Sequence, residues 1–263
     1  MSPHPYVLAI ASHKGGTGRT MTAIGMARAI ADRGKRVLLI DGNVTPTLEL
    51  LLGADKQGAP IEERELLPSV YVGTGRPGEA ARLGVDYVIL DCPPLFDRGA
   101  DAFIGRAHGV ILTTLPDPLA IRTIPGATSV LKEVLALHDD LSFLGIVVSI
   151  YKSDDPLQLE MLDTLRSRLG ELCLEPPLPW QKDVADWSMD AKGELPRGAY
   201  GKAHDRLVEE LAADLGLEVA DATERAPQES AEGVALLSSE RERGPQRRAP
   251  YRLVVASHKG GTG

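Results

Sequence analysis

The stretch Tyr6-Val7-Leu8-Ala9-Ile10-Ala11-Ser12-His13-Lys14-Gly15-Gly16-Thr17-Gly18-Arg19-Thr20 decides how this chain is read. Its first half, Tyr6 to Ala11, is an unbroken apolar run, as expected of a parallel strand with both faces covered. Its second half places three glycines within four positions and then opens an amphipathic pattern. Glycines let a backbone wrap closely enough for its N–H groups to face phosphate oxygens, and a following helix adds its positive N-terminal dipole. The general phosphate-loop pattern G-x-x-x-x-G-K-[ST] asks for glycine at position 13 and lysine at 19. His13 and Arg19 stand there instead.

Moving outward, further short apolar runs occur at Val37 to Ile40, Val70 to Val72, Tyr87 to Leu90, Val110 to Thr114 and Leu144 to Ile150. Their Val, Ile and Leu content without alternation predicts buried parallel strands. Helical spacing covers Thr20 to Arg33, Ala120 to Leu137, Leu157 to Leu169 and Lys202 to Leu215, three of them stopped by Gly34, Gly170 and Gly216. The alternation predicts an α/β fold, a doubly wound, mostly parallel sheet with helices on both faces, and ligands outside the carboxyl ends of the strands.

Composition narrows the classes of partner. Among 263 residues there are 37 acidic and 29 basic side chains, a net charge of −8, so no general attraction to nucleic acid or anionic membrane is expected. Any DNA contact has to be local. The two cysteines, Cys92 and Cys173, form no disulfide framework or metal spacing, which fits a reducing cytoplasm. No run approaches the roughly 18 apolar residues of a membrane span, and the start Met-Ser-Pro-His-Pro has no export-signal pattern.

These observations divide the chain into a nucleotide-binding domain at 1–220, a disordered linker at 221–249 and a truncated repeat at 250–263. The linker assignment rests on its Glu, Arg, Ser, Pro and Gln content. The repeat is plain: Pro250-Tyr251 through Ala256-Ser-His-Lys-Gly-Gly-Thr-Gly263 echoes Pro5-Tyr6 through Ala11-Ser-His-Lys-Gly-Gly-Thr-Gly18. The copy stops before any equivalent of Arg19-Thr20, so it is not expected to bind nucleotide alone. A truncated tandem duplication and a strand that replaces residues 5 to 18 in the same or another subunit both remain open.

Two more strand ends join the glycine loop. Val37-Leu-Leu-Ile-Asp41-Gly-Asn43 ends in a carboxylate, and Val88-Ile-Leu-Asp91-Cys-Pro-Pro94 ends in an aspartate of Walker B type, suited to Mg²⁺. With Lys14, this ordered set resembles the ParA/MinD family of deviant Walker ATPases, whose motif is K-G-G-x-G-K-[ST]. Asp91-Cys92-Pro93-Pro94 resembles the ParA form D-x-P-P, and the likeness runs over roughly residues 5 to 216. The resemblance implies an ATP-dependent switch with ATP or ADP and Mg²⁺ as cofactors. Its partners would be a second copy of the chain, a ParB-like or other adaptor and, through a local basic patch, nonspecific DNA; no membrane contact is implied. Its location would be the cytoplasm, with association to the nucleoid.

Residue by residue, the resemblance makes Lys14 the signature lysine that reaches the partner subunit's nucleotide. Gly15, Gly16, Thr17, Gly18, Arg19, Thr20 and Met21 become the phosphate cradle. Thr20, Asp41 and Asp91 are assigned to the metal, and Lys14, Asp41 and Asn43 to catalysis. Pro179 and Trp180 fall where the family's late loop approaches the base. Three departures lead to an expectation of slow or absent hydrolysis. Arg19 replaces the Walker lysine with a longer planar fork. Asn43 stands where the family's D-x-D motif has the carboxylate that positions water, and an amide is not a carboxylate base. Met21 replaces a hydroxyl residue. Reversing Arg19 to lysine or Asn43 to aspartate is expected to raise the rate.

The remaining signals are weaker. The switch segment continues as Val44-Thr45-Pro46-Thr47, unlike the family, and Ser149 occupies a position where the family often has a base-reading asparagine. Lys182, Lys192, Arg197, Lys202 and Arg206 form the one late basic cluster, interrupted by acids, so a DNA patch and an ordinary mixed-charge surface stay open. His108, His138 and His204 lack metal spacing. Besides the dimeric switch, a non-hydrolysing nucleotide sensor or regulatory subunit is open. A ligase on the same scaffold, of the dethiobiotin synthetase kind, is disfavoured because no acceptor-binding motif is found.

Overall fold

The computed structural model describes residues 4–217 apart from 54, 77 and 190. The expected linker and the repeat at 250–263 lie outside the described residues, as do the last residues assigned to the first domain. Within them the chain builds β1 (Tyr6–Ser12), α1 (Arg19–Ala31), β2 (Val37–Asp41), α2 (Thr47–Leu52), β3 (Glu65–Leu67), β4 (Val70–Gly73), α3 (Glu79–Leu83), β5 (Tyr87–Asp91), α4 (Ala100–Ile104), β6 (Gly109–Thr114), α5 (Pro118–Leu137), β7 (Ser142–Val148), α6 (Pro156–Leu169), β8 (Cys173–Leu174), α7 (Lys182–Trp187) and α8 (Ala199–Glu210).

One sheet runs in the order β3-β4-β2-β5-β1-β6-β7-β8. Every pairing is parallel except β3 with β4 at one edge. β1 is central, with Ile10 level with Asp91 of β5 on one side and with Ile111 of β6 on the other. From β1 the chain turns to the β2 side, and later strands fill the other side, so the loop after β1 lies where the strand order reverses. Open parallel sheets bind ligands at such a point.

The absence of alternation in the strands has a direct cause. Leu8 and Ile10 of β1 join one core with α1 and α8, whereas Ala9 and Ala11 join a second core with α5 and α6. Helix α1 is buried nearly all round, from Thr22 to Ile30, because α8 covers its outer side. Its contact with α8 is polar as well as apolar. Arg28 binds Asp32, Asp205 and the Gly201 carbonyl, and the Tyr200 hydroxyl donates to the Met21 carbonyl.

Several boundaries differ from the sequence reading for local reasons. β7 ends at Val148, and Ile150, assigned there to the strand, has φ 55. A β-branched residue with positive φ is strained. The backbone turns at this point so that the Tyr151 N–H donates to Leu178 O and the Trp180 N–H to Tyr151 O. Helix α8 begins at Ala199, three residues earlier than its apolar spacing suggested, and gives way to turns after Glu210. β3, β8 and the short helices α2, α3, α4 and α7 were not anticipated.

Candidate functional site

The loop between β1 and α1 is shaped by its glycines. Gly16 and Gly18 both have φ 74, a conformation that side chains resist. At Gly18 a Cβ would come within 3.2 Å of Ser149 Oγ and 3.4 Å of Ile150 Cγ1, so the turned end of β7 packs directly against the loop. Ser149 Oγ donates to the Thr17 carbonyl at 2.5 Å, and Thr17 Oγ1 meets Thr113 Oγ1 of β6 at 2.9 Å, both buried. Ser12 Oγ braces the loop's start through the Lys14 carbonyl at 2.6 Å. α1 then begins at Arg19 with Gly18 as its cap and no side chain capping its first turn. The leading N–H groups of such a helix remain available to an anion.

Thr20 is inside the helix, one position past its start, so it is not the capping residue. Its hydroxyl donates to Asp91 Oδ2 at 2.6 Å, joining α1 to the end of β5. Asp91 is buried, and its other oxygen, Oδ1, has no partner among the described residues. Burial pushes its carboxyl up to about 6, opposed first by the Thr20 hydrogen bond and reinforced by the nearby Asp41 charge. A buried carboxylate with one vacant oxygen beside a hydroxyl suits a hard cation. No group of three or more His, Cys, Asp or Glu side chains able to hold a metal occurs among the described residues. Any cation here would therefore need ligands from elsewhere, as Mg²⁺ takes from phosphates and water.

Asp41 performs a different local task. Its Oδ1 accepts from the Asn43 backbone and side-chain amides, each at 2.9 Å, and its Oδ2 accepts from the Leu48 N–H at 2.9 Å. Both oxygens thus hold the segment between β2 and α2. Asn43 faces inward: its Oδ1 accepts from Arg19 NH2 at 3.0 Å, and its Nδ2 also reaches the Asp91 carbonyl at 3.4 Å. Arg19 NH1 is buried without a partner among the described residues.

The two ends of the loop behave differently. Lys14 is 32% exposed and lies 3.5 Å from Asp117, the capping residue of α5. His13 beside it is buried, and loss of water, followed by the Lys14 charge, lowers its pKa. Met21 packs at the core's margin, and its carbonyl receives Tyr200. Thus the structure brings Thr17, Arg19, Thr20, Asp41, Asn43 and Asp91 together at the ends of β1, β2 and β5.

Pro179 and Trp180 line a groove of about 780 Å³ with Tyr151, Lys152, Lys202 and Arg206, among others, and no residue of the phosphate loop is on its walls. Trp180 is 45% exposed with the Lys152 ammonium 4.8 Å from its ring centre, whereas Trp187 is buried and donates to the Gly193 carbonyl. Within the late basic cluster, Lys182 pairs with Asp186 and Arg197 with Asp32. Lys202 and Arg206 are the members on the groove. His108 accepts from the Val7 N–H and His204 is core, so two of the three late histidines have structural partners.

Sequence reasoning missed Thr113 and Asp117, and it did not see that Ser149 grips the phosphate loop. The buried strand-end hydroxyl of Thr113 was a usable signal, because a buried hydroxyl needs a partner. Cys92, next to Asp91, is fully buried, and its thiol is pushed up by burial.

Residues 8–194 match the CobQ/CobB/MinD/ParA nucleotide binding domain. The chromosome-partitioning ATPase Soj of Thermus thermophilus is 30% identical over 236 residues, spanning 78% of this chain and 95% of the relative. Solved structures share the fold, among them the following two. MinD from Pyrococcus horikoshii, complexed with Mg-ADP, superposes with a TM-score of 0.59 at 21% identity, covering 79% of this chain and 96% of that one. Cobyrinic acid a,c-diamide synthase from Mycobacterium smegmatis, with bound ATP analog and magnesium, gives a TM-score of 0.58 at 23% identity, covering 81% and 96%. Among the described residues no helix is long and apolar enough to cross a membrane.

Proposed function

Because the chain belongs to the CobQ/CobB/MinD/ParA nucleotide binding domain family, we propose that it is an ATP-binding dimeric switch of the ParA type with slow hydrolysis. It would serve in DNA partitioning or in positioning a cellular complex. The observation that carries this is the hydrogen bond from Thr20 to Asp91 beneath a glycine-shaped loop at the sheet's reversal point. It joins a hydroxyl and a buried carboxylate where the β- and γ-phosphates of a nucleotide would lie. Mg²⁺ bound with ATP supplies neutralising charge between those phosphates. Thr20 and Asp91 would hold that cation, Thr20 through its hydroxyl and Asp91 through its carboxylate. The N–H groups of Gly15 to Thr20 would hold the phosphates, with Arg19 replacing the usual lysine.

Slow turnover follows from Asn43. Its amide already serves Asp41 and Arg19, and it carries no basic oxygen with which to accept a proton from water. Asp41 keeps that segment in place. Self-association is supported by Lys14, a partly exposed cation paired with Asp117, and by Val44 and Phe96, which stand exposed on the segments after Asn43 and Asp91. Adaptor and DNA contacts would be built on the dimer. The groove cations Lys202 and Arg206 are the members of the basic cluster best placed for a phosphate backbone.

The occupied state of Asn43 also favours a second reading, a non-hydrolysing nucleotide sensor that holds a partner protein. One experiment separates the two: steady-state ATP turnover with DNA present, together with light scattering to measure size, for the wild type and for the double variant Arg19→Lys/Asn43→Asp. The switch predicts an ATP-dependent dimer, abolished by Lys14→Ala, with measurable but low turnover that the double variant raises at least tenfold. An ATP-bound monomer would remove the switch, and zero turnover in both proteins would favour the sensor.

A further inference from the structure

The two most unusual residues of the site touch each other. Arg19 and Asn43 are 24 positions apart, and their side chains meet through NH2 and Oδ1 at 3.0 Å. We infer that Asn43 is the specificity-determining partner of Arg19: a neutral acceptor is what allows an arginine to serve at the phosphate position. This rests on the nucleotide-binding reading above.

The argument is one of charge and of free donors. Asn43 fixes one arm of the guanidinium without neutralising it, and NH1 stays buried with no partner among the described residues, ready for a phosphate oxygen. A carboxylate at 43 would pair with the fork through two parallel hydrogen bonds and take up both the charge and the free arm. It would also replace the Nδ2 donor, which lies 2.9 Å from Asp41 Oδ1 and 3.4 Å from the Asp91 carbonyl, with an oxygen facing those oxygens. A compact ammonium at 19 forms no such fork, so lysine tolerates the aspartate that arginine does not. Arg19 and Asn43 therefore form one unit, and reversing Asn43 alone harms binding.

The test is titration of the full chain with a fluorescent ATP analogue and Mg²⁺, with thermal melting of each variant to confirm folding. With Arg19 in place, the expected order of affinity is wild type, then Asn43→Ala with a two- to threefold loss, then Asn43→Asp with at least a tenfold loss. In the Arg19→Lys background the aspartate is expected to cost at least fivefold less, what remains being the loss of the Nδ2 donor, which is common to both backgrounds. A simple loss of contact predicts the opposite order, since aspartate keeps an acceptor oxygen that alanine lacks. Asn43→Asp binding as well as or better than Asn43→Ala, or costing the same in both backgrounds, would overturn the pairing and leave the nucleotide reading standing. A wild-type chain that binds no analogue would remove both.

Discussion

Helix α1 carries an arginine near each end, and the two are partnered in opposite ways. Arg28, under α8, places NH1 2.8 Å from Asp32 and NH2 3.1 Å from both Asp205 and the Gly201 carbonyl, and only its Nε lacks a partner among the described residues. Arg19, at the phosphate loop, has one hydrogen bond to a neutral amide and an empty terminal nitrogen. An unpaired buried charge costs on the order of several kcal/mol, so a charge kept for stability is surrounded by the chain's own carboxylates. A charge kept for a ligand is left short of partners. One helix therefore has a closed end that holds the fold and an open end that waits for chemistry.

The largest expected effect tests how closed the closed end is. His204 is fully buried between the helices; its Nδ1–H donates to the Tyr200 carbonyl at 2.9 Å, and its Nε2 has no partner among the described residues. Burial lowers its pKa to about 4. An unfolded imidazole protonates near 6.5, so between those values the unfolded chain binds more protons, and acid favours unfolding. His204's contribution is complete above pH 6.5 and is lost as the pH falls through about 4, a change of about 3 kcal/mol. Urea unfolding at pH 7 and pH 4 should reveal this loss in the wild type relative to His204→Leu. Parallel pH profiles would mean that water reaches the ring.

A smaller effect probes the same contact from α1. Alanine in place of a mid-helix glycine ordinarily gains about 0.5–1 kcal/mol. At Gly25, however, a Cβ would lie 2.3 Å from His204 Nε2. Gly25→Ala should instead lose about 2 kcal/mol by overpacking, measured by thermal unfolding, with nucleotide affinity unchanged. A stabilised variant would break the closed-end description.

The smallest change in stability should accompany the open end. Arg19→Ala removes a charge left short of partners, so it should leave the unliganded fold no less stable while weakening binding of an ATP analogue about tenfold, the worth of one charge-assisted bond. Arg28→Met should do the reverse. If both substitutions moved the same measurement, the division of α1 into two ends would fail.

The same contrast explains what the sequence disclosed. Six buried strands were legible because runs such as Val37 to Ile40 are long enough for an apolar pattern. β3 and β8, with three and two residues, and helices of five or six residues such as α3 show no period at all. Arg19, Thr20, Asp41, Asn43 and Asp91 were legible because each stands at a fixed place after a strand. Their contacts were not. Thr17 reaches Thr113 and Lys14 reaches Asp117 only because β6 lies beside β1, and strand order is a long-range outcome that local patterns do not carry. Arg19 and Asn43 were each singled out as departures, yet the bond that makes them one unit depends on β2 and β1 both flanking β5.

The position of β1 bears on the duplicated sequence at 250–263. β1 is laddered on both sides, to β5 and to β6, while the sheet's edges are the very short β3 and β8. Short edges offer little template for an added strand. A copy of β1 would find its own register only in the middle, after two ladders had been unzipped together. Exchange of one for the other thus has no local route, and it would be limited by the rate at which the whole domain opens.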